Sequence, residues 1–150
     1  IVAAADIVPV SLTPSKAAIE SAWGSSRFAV EGNNLFGQWC YKTGCGILPF
    51  RRGDGQSNKV AHFSDVRAEE ASYMRNINCH LAYAESRASR AELRSAGVII
   101  TGHDTAKHLP RYSERGQDHV SGTQSMIRVN QLSGLDTPSA IQIRAAGPLL

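Results

Sequence analysis

Residues 17–40 read AAIESAWGSSRFAVEGNNLFGQWC, and one acidic residue, Glu20, interrupts a run of alanine, isoleucine and tryptophan. The first part of this stretch predicts a short helix. Thr13 can cap it, Pro14 then falls at its first position, and the helix runs to about Trp23, where Gly24 offers a stop. A further helical turn is expected over Ser26–Val30. The loop EGNNLFG follows, its paired Asn and Gly residues suited to left-handed backbone. On a helix, the i±3 and i±4 neighbours of Glu20 are Lys16, Ala17, Trp23 and Gly24. A carboxyl group set against Trp23 and small residues is partly desolvated and favours its neutral form, which suits a general acid. The competing arrangement turns Glu20 to water and pairs it with Lys16. In that residue order the pair is worth only about a few tenths of a kcal/mol.

Outward from this stretch the pattern changes. Residues 41–63 carry Gly44, Gly46, Pro49, Gly53 and Gly55 and predict a β-hairpin, about Gly46–Arg52 pairing with Asn58–Phe63. Helical periodicity then returns. Ser64 and Asp65 open a helix to about Asn78, with Val66, Tyr73, Met74 and Ile77 on one side. Further helices are expected over Ala82–Ser95, ending at Gly97, from near Thr101, and over Gln117–Gln131. After Ser133 periodicity is lost, and residues 133–150 read as a tail or strap. The fold class expected is α+β, mostly helical, with one small hairpin after the first helices, in a single domain over 1–150 with its core at about 9–132.

With 150 residues, 42% hydrophobic and 19% charged, the composition is that of one ordinary globular domain. No apolar run approaches the roughly 20 residues of a membrane helix. The opening IVAAADIVPV has no basic n-region and does not read as a signal peptide. The net charge of +3 rests on basic residues spread along the chain, without the basic stripe and interleaved aromatics of a nucleic-acid binder. Three cysteines form no zinc pattern; Cys40 and Cys45 enclose a four-residue loop that a local bridge could close, which would imply an oxidising compartment. The five histidines, His62, His80, His103, His108 and His119, show no HExxH spacing. No G-x-S-x-G elbow occurs. Neither metal nor cofactor is expected.

The paired motifs AAIESAWGSS and GNNLFGQWC, with CGILPFRR, YMRNINCHLAYAESR and LPRYSERG further on, resemble the glucosaminidase family of peptidoglycan hydrolases, glycoside hydrolase family 73, and within it the Bax-like branch. The resemblance covers roughly residues 9–132. It implies a lysozyme-like fold in which a helical body and a small β-lobe flank the active cleft. It also implies endo-β-N-acetylglucosaminidase activity on the glycan strands of peptidoglycan, in a periplasmic or secreted setting. The family's acid catalyst in the ES.WG helix corresponds to Glu20. Its cleft-lining loop corresponds to Asn34, Leu35, Phe36 and Gly37, as glycan contacts or loop supports. Phe36 and Trp39 are either hydrophobic plugs or a platform on which a sugar ring stacks, and Trp23 is a further candidate for sugar binding. The tyrosine that faces the acid in relatives corresponds to Tyr112.

A second acidic residue, carried on the hairpin by many members, has no clear counterpart. Asp54, in the GDG turn, and Glu31, just before the loop, are the candidates. Assistance by the substrate's own N-acetyl group would need no second carboxylate. Two rivals share the pattern: a lytic transglycosylase using the same acid, and a non-catalytic wall-binding module, favoured by Lys59 and Arg51 or Arg52 on the hairpin.

Overall fold

The computed structural model describes residues 6–50 and 55–137. The chain divides into two compact units, one of Lys16–Asn76 and the other of Ile1–Ser15 with Ile77–Leu150. It is a mostly helical α+β protein with one small antiparallel sheet, as the periodicity predicts.

Helix α1, Leu12–Ser21, starts and ends earlier than its sequence suggests. The carbonyl of Pro9 accepts the Leu12 N–H at 3.1 Å, so the chain is already turning before Thr13. Pro14 is therefore the third helical residue. It remains within the first turn, where the missing N–H would have had no intrahelical acceptor. The helix stops at Ser21 because the next three residues, Ala22, Trp23 and Gly24, all have positive φ, at 50°, 58° and 78°. Ser21 ties the reversal down. Its hydroxyl donates to the Ala17 carbonyl at 2.5 Å and accepts the Gly24 N–H at 2.7 Å, and its carbonyl accepts the Ser26 N–H at 2.9 Å. Helix α2, Arg27–Gly32, is capped by the Ser26 hydroxyl and closed by Asn33 in the left-handed region.

The sheet has three strands, β1 (Trp39–Cys40), β2 (Gly46–Ile47) and β3 (Lys59–Ala61), in the order β1-β3-β2. The expected hairpin is present as β2–β3, with Gly46 opposite Ala61 and Ile47 opposite Val60. Its pairing is confined to two residues, since Pro49 has no N–H to continue the ladder. Gly46 is required here: a Cβ at this position would lie 2.1 Å from the Val60 carbonyl oxygen. The pairing of β1 with β3 is not visible in the periodicity of so short a strand. A disulfide joins Cys40 to Cys45, closing the connection that leads from β1 to β2.

Helix α3, Val66–Cys79, begins where the Asp65 carboxylate accepts the Ala68 N–H at 2.7 Å. Its buried stripe is Glu69, Tyr73 and Ile77, spaced i, i+4, i+8, while Val66 is exposed.

In the other unit, a 3₁₀ turn, Leu81–Tyr83, leads into α4, Ala84–Ser95, which ends before Gly97. Thr101 caps α5, Gly102–Ala106, and α6 spans Gln117–Val129. Buried Ile77, Tyr83, Ile100, Leu109, Val120 and Ile127 supply apolar packing. Buried Arg90 on α4 ties the N-terminal segment to the end of α3. It donates to the Ile7 carbonyl at 2.8 Å and to the Asn78 side chain at 2.7 Å; Arg94 pairs with Asp6.

The segment after Gln131, expected as a tail, begins as another 3₁₀ turn, Leu132–Asp136. Asp136 is buried. Its carboxylate accepts the Ser11 N–H at 2.9 Å, the Ser11 hydroxyl at 2.5 Å and the Gly102 N–H at 2.9 Å. The remainder of the expected tail, 138–150, lies outside the described residues.

Candidate active site

Glu20 lies in the last turn of α1, half-buried, and the reversal that follows decides its surroundings. Trp23 is not its helical neighbour, as the spacing suggests. It sits on the left-handed turn with 70% of its surface exposed. Gly37 approaches the carboxylate instead. A Cβ added to Gly37 would lie 3.2 Å from Oε2 and 3.8 Å from Cδ of Glu20, at a φ of +65°. Any side chain here would crowd the acid and strain a left-handed backbone that glycine adopts freely.

The loop is fixed from several directions. Asn34 is buried and acts as a clasp: its amide group donates to the Gln38 carbonyl at 2.9 Å and the Ala61 carbonyl at 2.8 Å, and its oxygen accepts the Gln38 N–H at 3.0 Å. Asn33 donates to the Phe63 carbonyl at 2.9 Å. From α3, the Glu69 carboxylate accepts the Phe36 N–H at 2.8 Å. Gln38 donates to the Glu69 carbonyl at 3.1 Å and accepts the Ser72 hydroxyl at 2.8 Å. Phe36 is buried and stacks on Tyr73, with centroids 4.2 Å apart and planes 10° from parallel. Of the alternatives for this loop, Asn34 and Phe36 therefore act as supports. Phe36 offers no open face to a sugar, whereas Trp39 on β1 and Trp23 do.

Two buried ionisable groups accompany the acid. Lys16, one turn before Glu20 on α1, is 1% exposed. Burial pulls its ammonium down from 10.5 to about 7, and the negative charge of Glu20 opposes the fall. The solvent-facing Lys16–Glu20 pair weighed from spacing is thus not the arrangement found. Glu69 is fully buried, and loss of solvent pushes its carboxyl above the usual range. The Leu35 and Phe36 N–H groups and Gln38 hold it back in part. Sequence reasoning missed Glu69. Its position four residues before Tyr73, on the same helical stripe, was the available signal.

The other candidates are placed as follows. Glu31 on α2 is exposed and faces Arg27 at 3.7 Å. Asp54, with Arg51 and Arg52, lies outside the described residues. Tyr112 ends a 3₁₀ turn, Pro110–Tyr112, in the other unit. Its ring neighbours that of Tyr83, at 6.2 Å, and that of buried His119, at 5.9 Å and 5° from parallel. Among the described residues no group of His, Cys, Asp and Glu is arranged to hold a metal ion.

The site is thus a half-buried carboxylic acid at the end of a helix, approached by a glycine of a hydrogen-bonded loop, in a mostly helical α+β chain. The family model Glucosaminidase, described as mannosyl-glycoprotein endo-beta-N-acetylglucosaminidase, matches residues 2–135, and the chain belongs to that family. It is similar to the protein bax of Escherichia coli (strain K12), 36% identical over 126 residues, which cover 84% of this chain and 44% of that protein. The chain thus spans under half the length of this relative. No solved structure matches it.

Proposed function

We propose that the chain is an endo-β-N-acetylglucosaminidase that hydrolyses β-1,4 bonds in the glycan strands of peptidoglycan, with Glu20 as general acid. The observation that carries this is the approach of Gly37 to the Glu20 carboxylate, in a chain matched to the glucosaminidase family over 2–135. Glu20 gives its proton to the glycosidic oxygen as the bond to C1 breaks. Glu31, the described candidate for a second carboxylate, is exposed and pairs with Arg27 at 3.7 Å, which favours a route that needs no second carboxylate. The carbonyl oxygen of the substrate's own N-acetyl group then bonds to C1. Water opens that ring and returns a proton to Glu20, which closes the cycle. By the family resemblance, Tyr112 is the hydroxyl assigned to orient the water, with Asp54 as an auxiliary charge. Trp39 and Trp23 offer the exposed faces on which sugar rings stack.

A periplasmic or secreted setting suits both this substrate and the Cys40–Cys45 disulfide, which persists where thiols are oxidised. No described helix is long and apolar enough to cross a membrane.

The test is mass spectrometry of fragments released from purified peptidoglycan by the parent and by Glu20→Gln. Reducing N-acetylglucosamine ends from the parent alone are expected. Anhydro-muramic ends would make the chain a lytic transglycosylase. Binding with no release from either protein would leave a wall-binding module.

A further inference from the structure

We propose that Glu69 is a positioning residue: its buried carboxylate holds the backbone of the Asn34–Gln38 loop so that Gly37 stays against Glu20, and catalysis depends on that hold. The inference rests on the glycosidase role of Glu20.

The geometry points from α3 to the acid in two steps. Glu69 Oε1 accepts the Phe36 N–H at 2.8 Å, one residue before Gly37. Gly37 in turn leaves only 3.2 Å between a notional Cβ and Glu20 Oε2. A buried carboxylate carries a large desolvation penalty unless its bonds repay it. Glu69 is fully buried, and Oε2 meets no hydrogen-bond partner among the described residues. An apolar side chain would fill the same helical stripe between Tyr73 and the loop without that penalty. What Glu69 adds is an acceptor, directed at the residue before Gly37, the glycine that approaches the acid. Gln38 and Ser72 reinforce the same junction through the bonds to the Glu69 carbonyl and the Gln38 side chain. Asn34 secures the loop to the sheet, and Glu69 secures it to α3.

The experiment compares the parent with Glu69→Gln, which keeps an acceptor at Oε1, and Glu69→Leu, which keeps the volume and loses the acceptor. Three quantities are read: kcat and KM on peptidoglycan fragments, amide hydrogen exchange at Phe36, and the NMR signal of the Glu20 carboxyl carbon. Glu69→Leu is expected to lose about 10- to 100-fold in kcat with little change in KM, the scale of a displacement near 1 Å at a reacting group. It should also expose the Phe36 amide to exchange and shift the Glu20 signal. Glu69→Gln is expected to stay within about threefold of the parent in kcat and to keep Phe36 protected. A residue that only stabilised the fold would lower the melting temperature of Glu69→Leu and leave the kcat of the folded protein and the Glu20 signal in place; that result overturns the proposal. Equal losses in both variants overturn it too. Should the parent release no fragments, the glycosidase role fails, while Phe36 exchange and the Glu20 signal still decide whether Glu69 holds the loop to the acid. An unmoved Glu20 signal in Glu69→Leu would then sink it.

Discussion

Lys16 shows how a single buried charge gives the protein a pH dependence. Its ammonium, drawn down to about 7 by burial, would hold its proton to about 10.5 in the unfolded chain. Below about 7 both states are protonated, and the folded state bears the whole cost of burying the charge. Between about 7 and 10.5 the unfolded state binds more protons, so this residue makes stability rise with pH. Lys16→Met should therefore be more stable than the parent at pH 6, by at most about 5 kcal/mol, and the gain should shrink as the pH approaches 10. Urea midpoints of both proteins at pH 6 and 9.5 check this; a gap that stays constant would show that the lysine is not titrating in the folded state. At this scale the motif around Glu20 is what singles it out in the sequence as a candidate acid. Lys16 and Glu69 carry no such mark, since a lysine four residues before a glutamate, or one half of a Glu-Glu pair, reads as a solvated face. Their burial is set by what the rest of the fold lays over them.

Among the elements, the end of α1 stores backbone strain. Ala22 and Trp23 occupy left-handed backbone without being glycine, at φ of 50° and 58°. For an L-residue this costs roughly 1–2 kcal/mol each. Replacing Ala22 by Gly removes its share, at an entropic cost of up to about 1 kcal/mol in the unfolded state. Ala22→Gly should thus stabilise by about 0.5–1 kcal/mol, seen as a higher denaturation midpoint with an unchanged slope; a lower midpoint would mean that the turn is not strained. The sequence marks Gly24 as the stop, which is the third residue of the reversal rather than its start. A side-chain hydroxyl, that of Ser21, makes the earlier break possible, and such bonds leave no periodic trace. The same limit hid β1, whose two residues are held by pairing with Val60 and Lys59 and not by any alternation of their own.

For the molecule as a whole, the helix content and the placement of α3 to α6 followed from the spacing of apolar residues and from Gly97, Thr101 and Asp65 at helix ends. The role of Asp136 did not, because its partners, Ser11 and Gly102, are distant in sequence. This one side chain joins the first helix entry, the start of α5 and the last described turn. Asp136→Ala would leave two buried N–H groups and one hydroxyl without their acceptor, a loss of roughly 3 kcal/mol. Thermal unfolding should show it directly; a variant melting within about 2 °C of the parent would mean that these donors find other acceptors.

The strand order has a consequence for how the sheet is made. β3 is the last strand in sequence and the middle one in space, so β1 and β2 have no backbone partner until residues 59–61 have emerged. During synthesis or export the early strands wait as unpaired edges, prone to unwanted partners. The Cys40–Cys45 bridge needs no later residue to form. An oxidising compartment can thus tether the waiting strands to each other ahead of the strand that completes them, and the chain's path through the cell becomes part of its assembly.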